Sequence, residues 1–512
     1  MSLVGKVGRK RWRARLAMAS LYLLLSLGAV VSIYPFLLML STGFKGPTDQ
    51  NDDRLVPAYF SSQTELLSKY VDDKYGDNPS MIASTRIGSQ APDASISRYR
   101  TFLETLPLGY WEAGFRTPSN GVTSRLQRRY TAWLRTRYRK IDDLNAAYDE
   151  QSVDFQTVQP PVELFEQKTW QPDGSRKMRD WQQFKASLPS EFRLPVRVQR
   201  LFQEWARGRF QGEIADVPKP LAGNARSFEE LPLPDSGPLL AEFRKESLPN
   251  RYAKESAESL WLAASPSQPT LPIAAGEASW VAQHGPEIRN EFAGRNYGYV
   301  VDYVLLNGRT VWNTVLFCLL TIATQLIVNP LAAYALSRYP IRSSGAILMF
   351  LLATMAFPAE VAAIPSFLLL KGLGLLDTFA ALVLPTAASG YMIFLLKGFF
   401  DSLPQELFEA GSIDGARETT MMFRIALPLS RPVLGYLALT AFMGAYGAFL
   451  YAFLVAQNQK MWALMVWIYQ LQVLSPKSVV MAALTLAAVP TLVVFLLAQR
   501  VIMRGIVLPG ER

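Results

Sequence analysis

Two kinds of chemistry are excluded by residues the chain almost lacks. Its 512 residues include one cysteine, Cys318, and one histidine, His284. A single thiol forms no intrachain disulfide, so any part of the chain outside the cytoplasm is held together by its core alone. One imidazole leaves no histidine-based metal site. The pattern Gly-x-x-x-x-Gly-Lys-Ser/Thr does not occur, so the chain carries no phosphate-cradling loop of that kind. Charge is scarce as well: 18% of residues are charged against 50% hydrophobic, which is too apolar for a disordered chain.

What the chain has instead is long apolar runs. Leu16 to Leu40 contains no charge and is long enough to cross a bilayer. The fifteen residues before it hold six Lys or Arg and no acid. The run is too long for a cleaved signal peptide and has no small-residue cleavage site, so it reads as a retained anchor with a cytoplasmic amino terminus. Charge-free intervals follow at 310–337, 378–396, 432–459 and 478–499, and another at 343–370 is interrupted only by Glu360. Together these predict an all-α membrane protein with six transmembrane helices. Arg338, Arg342, Lys397, Arg424, Arg431, Arg500 and Arg504 then fall on the cytoplasmic side, which makes both termini cytoplasmic and residues 46–309 extracytoplasmic. The net charge of +10 is explained by this topology, and no nucleic-acid partner is expected.

Glu360 is the ionisable residue deep in an expected span, where a bare charge is costly. It either lines a solute path or is a protonated, hydrogen-bonded carboxyl between helices. Pro358, Pro365, Pro385 and Pro490 interrupt apolar helices, which membrane proteins tolerate without assigning them a role.

One polar stretch stands out between two apolar runs: residues 404–432, PQELFEAGSIDGARETTMMFRIALPLSRP. It must lie outside the lipid. Leu407, Ala410 and Ile413 have helical spacing, and Gly415, without a Cβ, lets the chain turn sharply. A second amphipathic piece, Met421 to Leu429, is followed by Pro432. A helix-turn-helix projecting from a membrane domain is shaped to be gripped by another protein. Its order of residues, Glu409-Ala410, Asp414-Gly415-Ala416, then Ile425-x-Leu427-Pro428, resembles the cytoplasmic loop of ATP-binding-cassette importer permeases, with Gly411 in place of the usual second alanine. The resemblance implies that the loop, residues 398–431, is a coupling helix seated in a cleft of a separate ATPase. It also implies that Glu409 pairs with a basic group there and that Gly415 sets the angle between the two helices. A dimeric ATPase subunit would then use ATP and magnesium, with no cofactor bound by this chain. A second permease subunit, an extracytoplasmic solute-binding protein and a sugar substrate complete the implied assembly.

The resemblance narrows to maltose-type sugar permeases through YPFLLMLSTGFK (Tyr34 to Lys45), and resumes from Asn296 with NYGYVV, WNTVLF and LAAYALSRYP. It continues with MAFPAEVAAIPSFLLLKGLGLLDT and LLKGFFDSLPQELFEA. It implies a cell-membrane permease built from a first span at 1–45 and a core at 296–512, working by alternating access. Where the family usually has Trp-Asn-Glu-Phe, this chain has Tyr446-Gly447-Ala448-Phe449. Together with Glu360, Tyr446 and Phe449 are the candidates for the translocation path. The loop 460–477 is too apolar to lie free in water, and by the same resemblance Trp462, Tyr469 and Gln470 are candidates for touching a docked binding protein.

Residues 46–295 have no counterpart in that pattern and read as a mainly helical extracytoplasmic domain inserted between the first and second spans. They hold seven of the eleven tryptophans. Leu126, Tyr130, Trp133, Tyr138, Ile141 and Leu144 form one apolar stripe. The pattern recurs about 72 residues on: LQRRYTAWLRTRY (126–138) aligns with VQRLFQEWARGRF (198–210), and DFQTVQPP (154–161) with SFEELPLP (227–234). Leu-Pro pairs beginning at Leu106, Leu188 and Leu248 suggest three units. Residues 133–161 faintly resemble a helical segment of some beta-galactosidase-class hydrolases, and Asp142, Asp143 and Glu163 are the acids that would serve such chemistry. A membrane-anchored carbohydrate-binding or glycoside-hydrolase-like ectodomain is therefore the alternative to the permease, which is not itself an enzyme. An ion-driven carrier is a third reading. It would require more buried charge than Glu360.

Overall fold

The computed structural model describes residues 12–76, 82, 91–116, 125–152, 154–165, 167–302, 309–354 and 358–504. Helices dominate, and the one sheet among the described residues is a two-stranded ribbon, Trp111–Ala113 against Arg193–Pro195. The chain divides into two compact units, one running to Asn296 with residues 474–479 added, the other made of the remaining residues from Tyr297 onward.

The first unit opens with the helix Trp12–Gly43, whose apolar stretch is unburied until residues 41–43 at its end. Such a helix is stable only with lipid or another protein around it. Beyond it the unit is built of short, capped helices. Ser62 caps Gln63–Tyr75 by accepting from the Glu65 amide, and Ser175 caps Arg176–Ala186 by accepting from Met178. Gln63–Tyr75 stops at Gly76 (φ +62), where any Cβ would sit 2.6 Å from the Arg116 carbonyl oxygen. Aromatic residues fill the two cores. Tyr70, Trp111, Tyr130, Trp181 and Trp261 lie in one, and Phe202, Phe228, Phe243 and Tyr252 in the other.

These cores use the same local plan twice. In helix Arg125–Arg137, Gln127 donates to the Val158 carbonyl (2.5 Å) and Thr131 to the Phe155 carbonyl (3.2 Å). In helix Val198–Arg209, Gln199 donates to the Leu231 carbonyl (3.3 Å) and Gln203 to the Glu229 carbonyl (2.9 Å). The accepting segments are matching 3₁₀ turns, Phe155–Thr157 and Phe228–Glu230. The two strands pair about Glu112 and Leu194, each six residues past a Leu-Pro leucine. Trp111 Nε1 and Arg193 Nε each donate to the carbonyl of that leucine, Leu106 and Leu188, at 3.2 and 3.0 Å.

The stripe Leu126 to Leu144 is carried by two helices, not one. Arg125–Arg137 ends and Ile141–Tyr148 begins after a break, in which Tyr138 turns to donate its hydroxyl to Asp180 Oδ2 (2.5 Å).

In the second unit, Thr310–Arg338 packs against Gly390–Asp401 and Arg431–Tyr446. Among the described residues of the whole chain, three helices are long and apolar enough to span a membrane: Met18–Gly43, Thr310–Arg338 and Lys477–Gln499. Two bent pairs raise the number to five if each is one span: Phe379–Thr386 with Gly390–Asp401 (50°), and Glu418–Leu429 with Arg431–Tyr446 (80°). Where the sequence predicts six spans, the described residues offer three to five candidates. The interval 378–396 breaks after Pro385, whose ring removes an amide donor. The interval 432–459 gives Arg431–Tyr446 and then the separate short helix Leu450–Val455. The interval 343–370 is represented by Ser344–Ala353 and Ala359–Gly372, the second preceded by Pro358, with residues 355–357 outside the described set.

Candidate functional site

The polar segment between Asp401 and Arg431 forms an elbow. Helix Glu406–Ile413 ends in a Schellman cap: the Ala416 amide donates to the Gly411 carbonyl (2.9 Å) and the Gly415 amide to that of Ser412 (3.1 Å). Gly415 supplies the left-handed step at φ +74 that this cap requires. Arg417 starts the return arm, Glu418–Met421, which widens into a π-helix over Met422–Ala426 and closes with Leu427–Leu429. A π-turn pushes one extra residue into the ladder and is unusual outside functional segments. Pro428 lies in that last turn, and Pro432 opens the next helix, Arg431–Tyr446, where a missing amide hydrogen costs nothing.

The two faces of the elbow differ. Phe408 is buried, and Gly411 lies against the second arm, where an added Cβ would be 3.4 Å from Ile425 Cδ1 and 3.6 Å from Met421 Sδ. Ala426, Met421 and Met422 complete the inner core, with Ala416, Ile425 and Leu427 packed against it. On the other side Leu407 (42% exposed), Ala410 and Ile413 (86%) point away from the protein, flanked by exposed Glu409 and Asp414. Glu409 accepts from Gln405 Nε2 at 2.9 Å. The stripe read from sequence is therefore the outward one, while the inward face rests on Phe408 and Gly411. Exposed leucine and isoleucine at helical spacing beside two carboxylates suit a protein contact with an apolar centre and a basic rim.

Residues that the sequence reading did not connect to the elbow hold it in place. The Arg338 guanidinium lies 3.6 Å from the Phe408 ring centre and donates to the Phe400 carbonyl at 2.7 Å. Tyr334, one turn earlier, donates to Glu418 Oε2 at 3.1 Å. Ser337 donates to Asp401 at 2.6 Å, and Lys397 pairs with the same carboxylate at 2.6 Å. Both arms are thereby tied to the end of helix Thr310–Arg338. The clustering of Tyr334, Ser337 and Arg338 on one helical turn was the available signal, but the arginine alone reads as a topology marker.

The remaining candidates are placed apart from the elbow. Tyr446 is buried, donates to the Ala487 carbonyl at 2.6 Å and lines an apolar cavity of about 430 Å³ beside Cys318. Phe449 packs on Phe453 and on Tyr469, with centroids 5.9 and 4.9 Å away, so one residue read as path and one read as surface contact meet. Gln470 follows Tyr469 in helix Leu464–Leu474, and the Trp462 carbonyl accepts from Asn313. Glu360 lies in the first turn of Ala359–Gly372, and its side chain is outside the described residues. The acids weighed for hydrolysis are engaged separately: Glu163 is buried against Lys185 at 3.0 Å, and Asp143 accepts from the Lys140 amide. No cluster of metal-ligating side chains occurs among the described residues.

Residues 329–507 match the family model described as binding-protein-dependent transport system inner membrane component. LplC of Bacillus subtilis is 31% identical over 202 residues, covering 36% of this chain and 68% of LplC. The sn-glycerol-3-phosphate transport system permease protein UgpE of Brucella abortus is 30% identical, covering 39% and 72%. The polygalacturonan/rhamnogalacturonan transport system permease protein YtcP of Bacillus subtilis is 29% identical, covering 36% and 70%. A solved bacterial ABC transporter involved in import of the acidic polysaccharide alginate aligns at 25% identity and a TM-score of 0.36, covering 40% of this chain and 78% of that one.

Proposed function

The chain belongs to the family of binding-protein-dependent transport system inner membrane components, and from that premise we propose that it is the permease subunit of an ATP-driven carbohydrate importer, coupled to its motor through the 398–431 elbow. It is a multi-pass membrane transport component and not an enzyme. The observation that carries the coupling role is the two-faced elbow: one side pinned by Arg338, Tyr334 and Asp401, the other presenting Leu407, Ala410 and Ile413 beside Glu409 and Asp414. An element anchored on one side and sticky on the other transmits a push.

In this reading a separate ATPase dimer holds ATP and magnesium, and its closure drives the elbow as a lever against Thr310–Arg338 and Arg431–Tyr446. Alternating access follows when a second permease subunit is driven the same way and the path between them opens outward, then inward. Carbohydrate is the favoured cargo because relatives include a permease named for polygalacturonan and rhamnogalacturonan transport. Both termini lie in the cytoplasm and residues 46–309 outside, where the 46–295 insertion serves as a platform for a solute-binding protein. Trp462, Tyr469 and Gln470 are its candidate contacts.

The test is a reconstituted complex in vesicles, assayed for ATP hydrolysis and solute uptake together. Glu409→Lys and Gly415→Asp should each lower uptake by about tenfold or more while hydrolysis continues and the chain remains inserted. Normal uptake by both variants overturns the assignment.

A further inference from the structure

The first charged side chain after the helix Trp12–Gly43 does not reach for water. Lys45 is almost fully buried, and its ammonium donates to the carbonyls of Asp52 and Arg54, the latter at 2.9 Å. A lysine at the end of a span ordinarily snorkels toward the lipid headgroups. This one staples the chain that follows back against the helix it has just left. Ser41 does the same from within the helix, donating to the Arg54 carbonyl at 2.9 Å. Tyr59 closes the loop by donating to the Phe44 carbonyl, also at 2.9 Å.

The back of this loop is firmly held. Arg289 donates to the Tyr59 carbonyl at 3.0 Å, and the Lys69 ammonium pairs with Asp49 and lies 5.1 Å from the centre of the Tyr59 ring. The loop is thereby tied to helices Gln63–Tyr75 and Ile273–Val300.

Its front is apolar. Along Trp12–Gly43 large apolar side chains stay exposed as far as Leu37, whereas Ser41, Thr42 and Gly43 are buried. At that level the outward surface passes to the loop: Leu55 is 43% exposed, Val56 66% and Phe60 39%. Phe60 stands edge-on to Phe44, with 6.3 Å between ring centroids. Single exposed hydrophobics are common on any protein surface. These three are crowded together and continue the apolar surface of the helix beyond its last turn.

Helix length fixes their depth. The apolar stretch Met18–Gly43 has 26 residues, which at about 1.5 Å each is about 39 Å. That exceeds the hydrocarbon core of roughly 30 Å and falls just short of the roughly 40–45 Å that includes both headgroup layers. With the helix centred in a bilayer, its last turn lies among the headgroups, and the Arg54–Leu55 peptide bonded to Ser41 lies there too.

We propose that Leu55, Val56 and Phe60 form an interfacial anchor that dips into the bilayer beside the span and seats the first unit on the lipid surface. Its partner is the apolar edge of the acyl layer and not a headgroup of particular charge, because exposed Arg54 is offset by Asp52 at 3.7 Å and by exposed Asp53 beside it. Apolar side chains entering the headgroup and acyl boundary hold a protein surface against a membrane. The insertion therefore sits at a set height above the lipid and does not swing on the exit of the span. The inference rests on Met18–Gly43 being a membrane span, and it holds on whichever side of the bilayer residues 46–295 lie.

The test uses the full-length chain in phosphatidylcholine vesicles. Cys318→Ala removes its one native thiol, and Leu55→Cys, Val56→Cys, Phe60→Cys and, at mid-span, Val30→Cys are each labelled with a polarity-sensitive fluorophore. Quenching is measured with lipids spin-labelled at the headgroup or in mid-chain, and with aqueous iodide. The three loop positions should be quenched by the headgroup label about twofold or more over the mid-chain label, since the bilayer centre lies about 15 Å deeper. Iodide should reach them poorly. Val30, itself 62% exposed, should show the reverse preference between the two lipids. Quenching of the loop by iodide alone puts the patch in water and overturns the anchor. Protection from iodide and from both lipids puts protein over the patch and overturns it equally. If Val30 responds to lipid and the loop does not, the anchor falls alone; if Val30 also escapes both lipids, the span reading falls with it.

Discussion

Arg295 grips Asp73 with two parallel hydrogen bonds of 2.7 and 2.8 Å, although the residues are 222 positions apart and both are almost completely buried. Glu291 braces the same guanidinium at 3.0 Å and also pairs with Arg128. A planar fork meeting a carboxylate in this way fixes direction as well as distance. It joins helix Gln63–Tyr75 to the long helix Ile273–Val300.

Acid should loosen that junction. Burial alone would raise the Asp73 carboxyl, but the charge and hydrogen bonds of Arg295 outweigh it and hold the group below the usual carboxylate range. The folded state then binds this proton less tightly than the unfolded chain, so the contribution is complete above the unfolded value of about 4. It is lost as pH falls through the lower folded value. Asp73→Asn should cost up to about 3 kcal/mol, because it leaves the buried guanidinium with Glu291 in place of two carboxylates. It should also flatten stability against pH below about 4. Tryptophan fluorescence during unfolding reports this directly, since seven of eleven tryptophans lie within residues 46–295.

The two glycines of the elbow should respond oppositely. At Gly411 a Cβ meets only ordinary contacts, so Gly411→Ala should leave uptake intact and gain up to about 1 kcal/mol of helix propensity. At Gly415, φ is +74, and Gly415→Ala should cost about 1–2 kcal/mol by forcing a Cβ into the left-handed region. Protease sensitivity of the elbow, together with uptake, distinguishes them.

Arg338→Lys should behave more like Arg338→Ala than like the parent. Lysine keeps the charge but has no flat guanidinium to lie on Phe408 while reaching the Phe400 carbonyl. Loss of the ring contact alone is worth about 0.5–2 kcal/mol. The expected readout is earlier cleavage of the elbow in limited proteolysis with the membrane spans still inserted.

Ile413→Asp should detach the motor without disturbing the fold, because the side chain is 86% exposed and supports nothing within the chain. Co-purification of the ATPase subunit should drop by about tenfold or more if the isoleucine is a central anchor of the contact. Undiminished co-purification would show that the outward stripe is not the contact.

Within the first unit, Gln127→Leu and Gln203→Leu should each cost about 1–3 kcal/mol, since each strips buried carbonyls of a donor. Gln199→Leu, at a half-buried position with a 3.3 Å bond, should cost less. Urea unfolding of the three variants ranks them.

Local rules explain what could be read in the chain before its structure was seen. Gly415 announced a turn because a left-handed step is a property of one residue, and the 72-residue recurrence was visible because aromatic and glutamine positions repeat in order. The anchors of the elbow were not legible: Tyr334 and Glu418 lie 84 residues apart, and no window of sequence pairs them. The stripe Leu407, Ala410, Ile413 was found but its direction was not, because periodicity marks a face without saying what lies against it. Hydropathy marked the apolar intervals and Pro385 flagged an interruption, yet neither could show that hydrogen bonds from Gln325 and Asn329 on a neighbouring helix hold the break at 386–390. Nor does anything in the sequence mark Lys185 and Arg200 as fully buried beside carboxylates.

The side-chain amide of Asn296 donates to the carbonyls of Gly43 and Lys45, at 2.9 and 2.6 Å. The points where the intervening 250 residues leave and rejoin the chain are therefore stitched side by side. A segment whose two ends meet can be spliced out and bridged by a handful of residues, or exchanged for a different cargo of sequence, without asking the flanking helices to move.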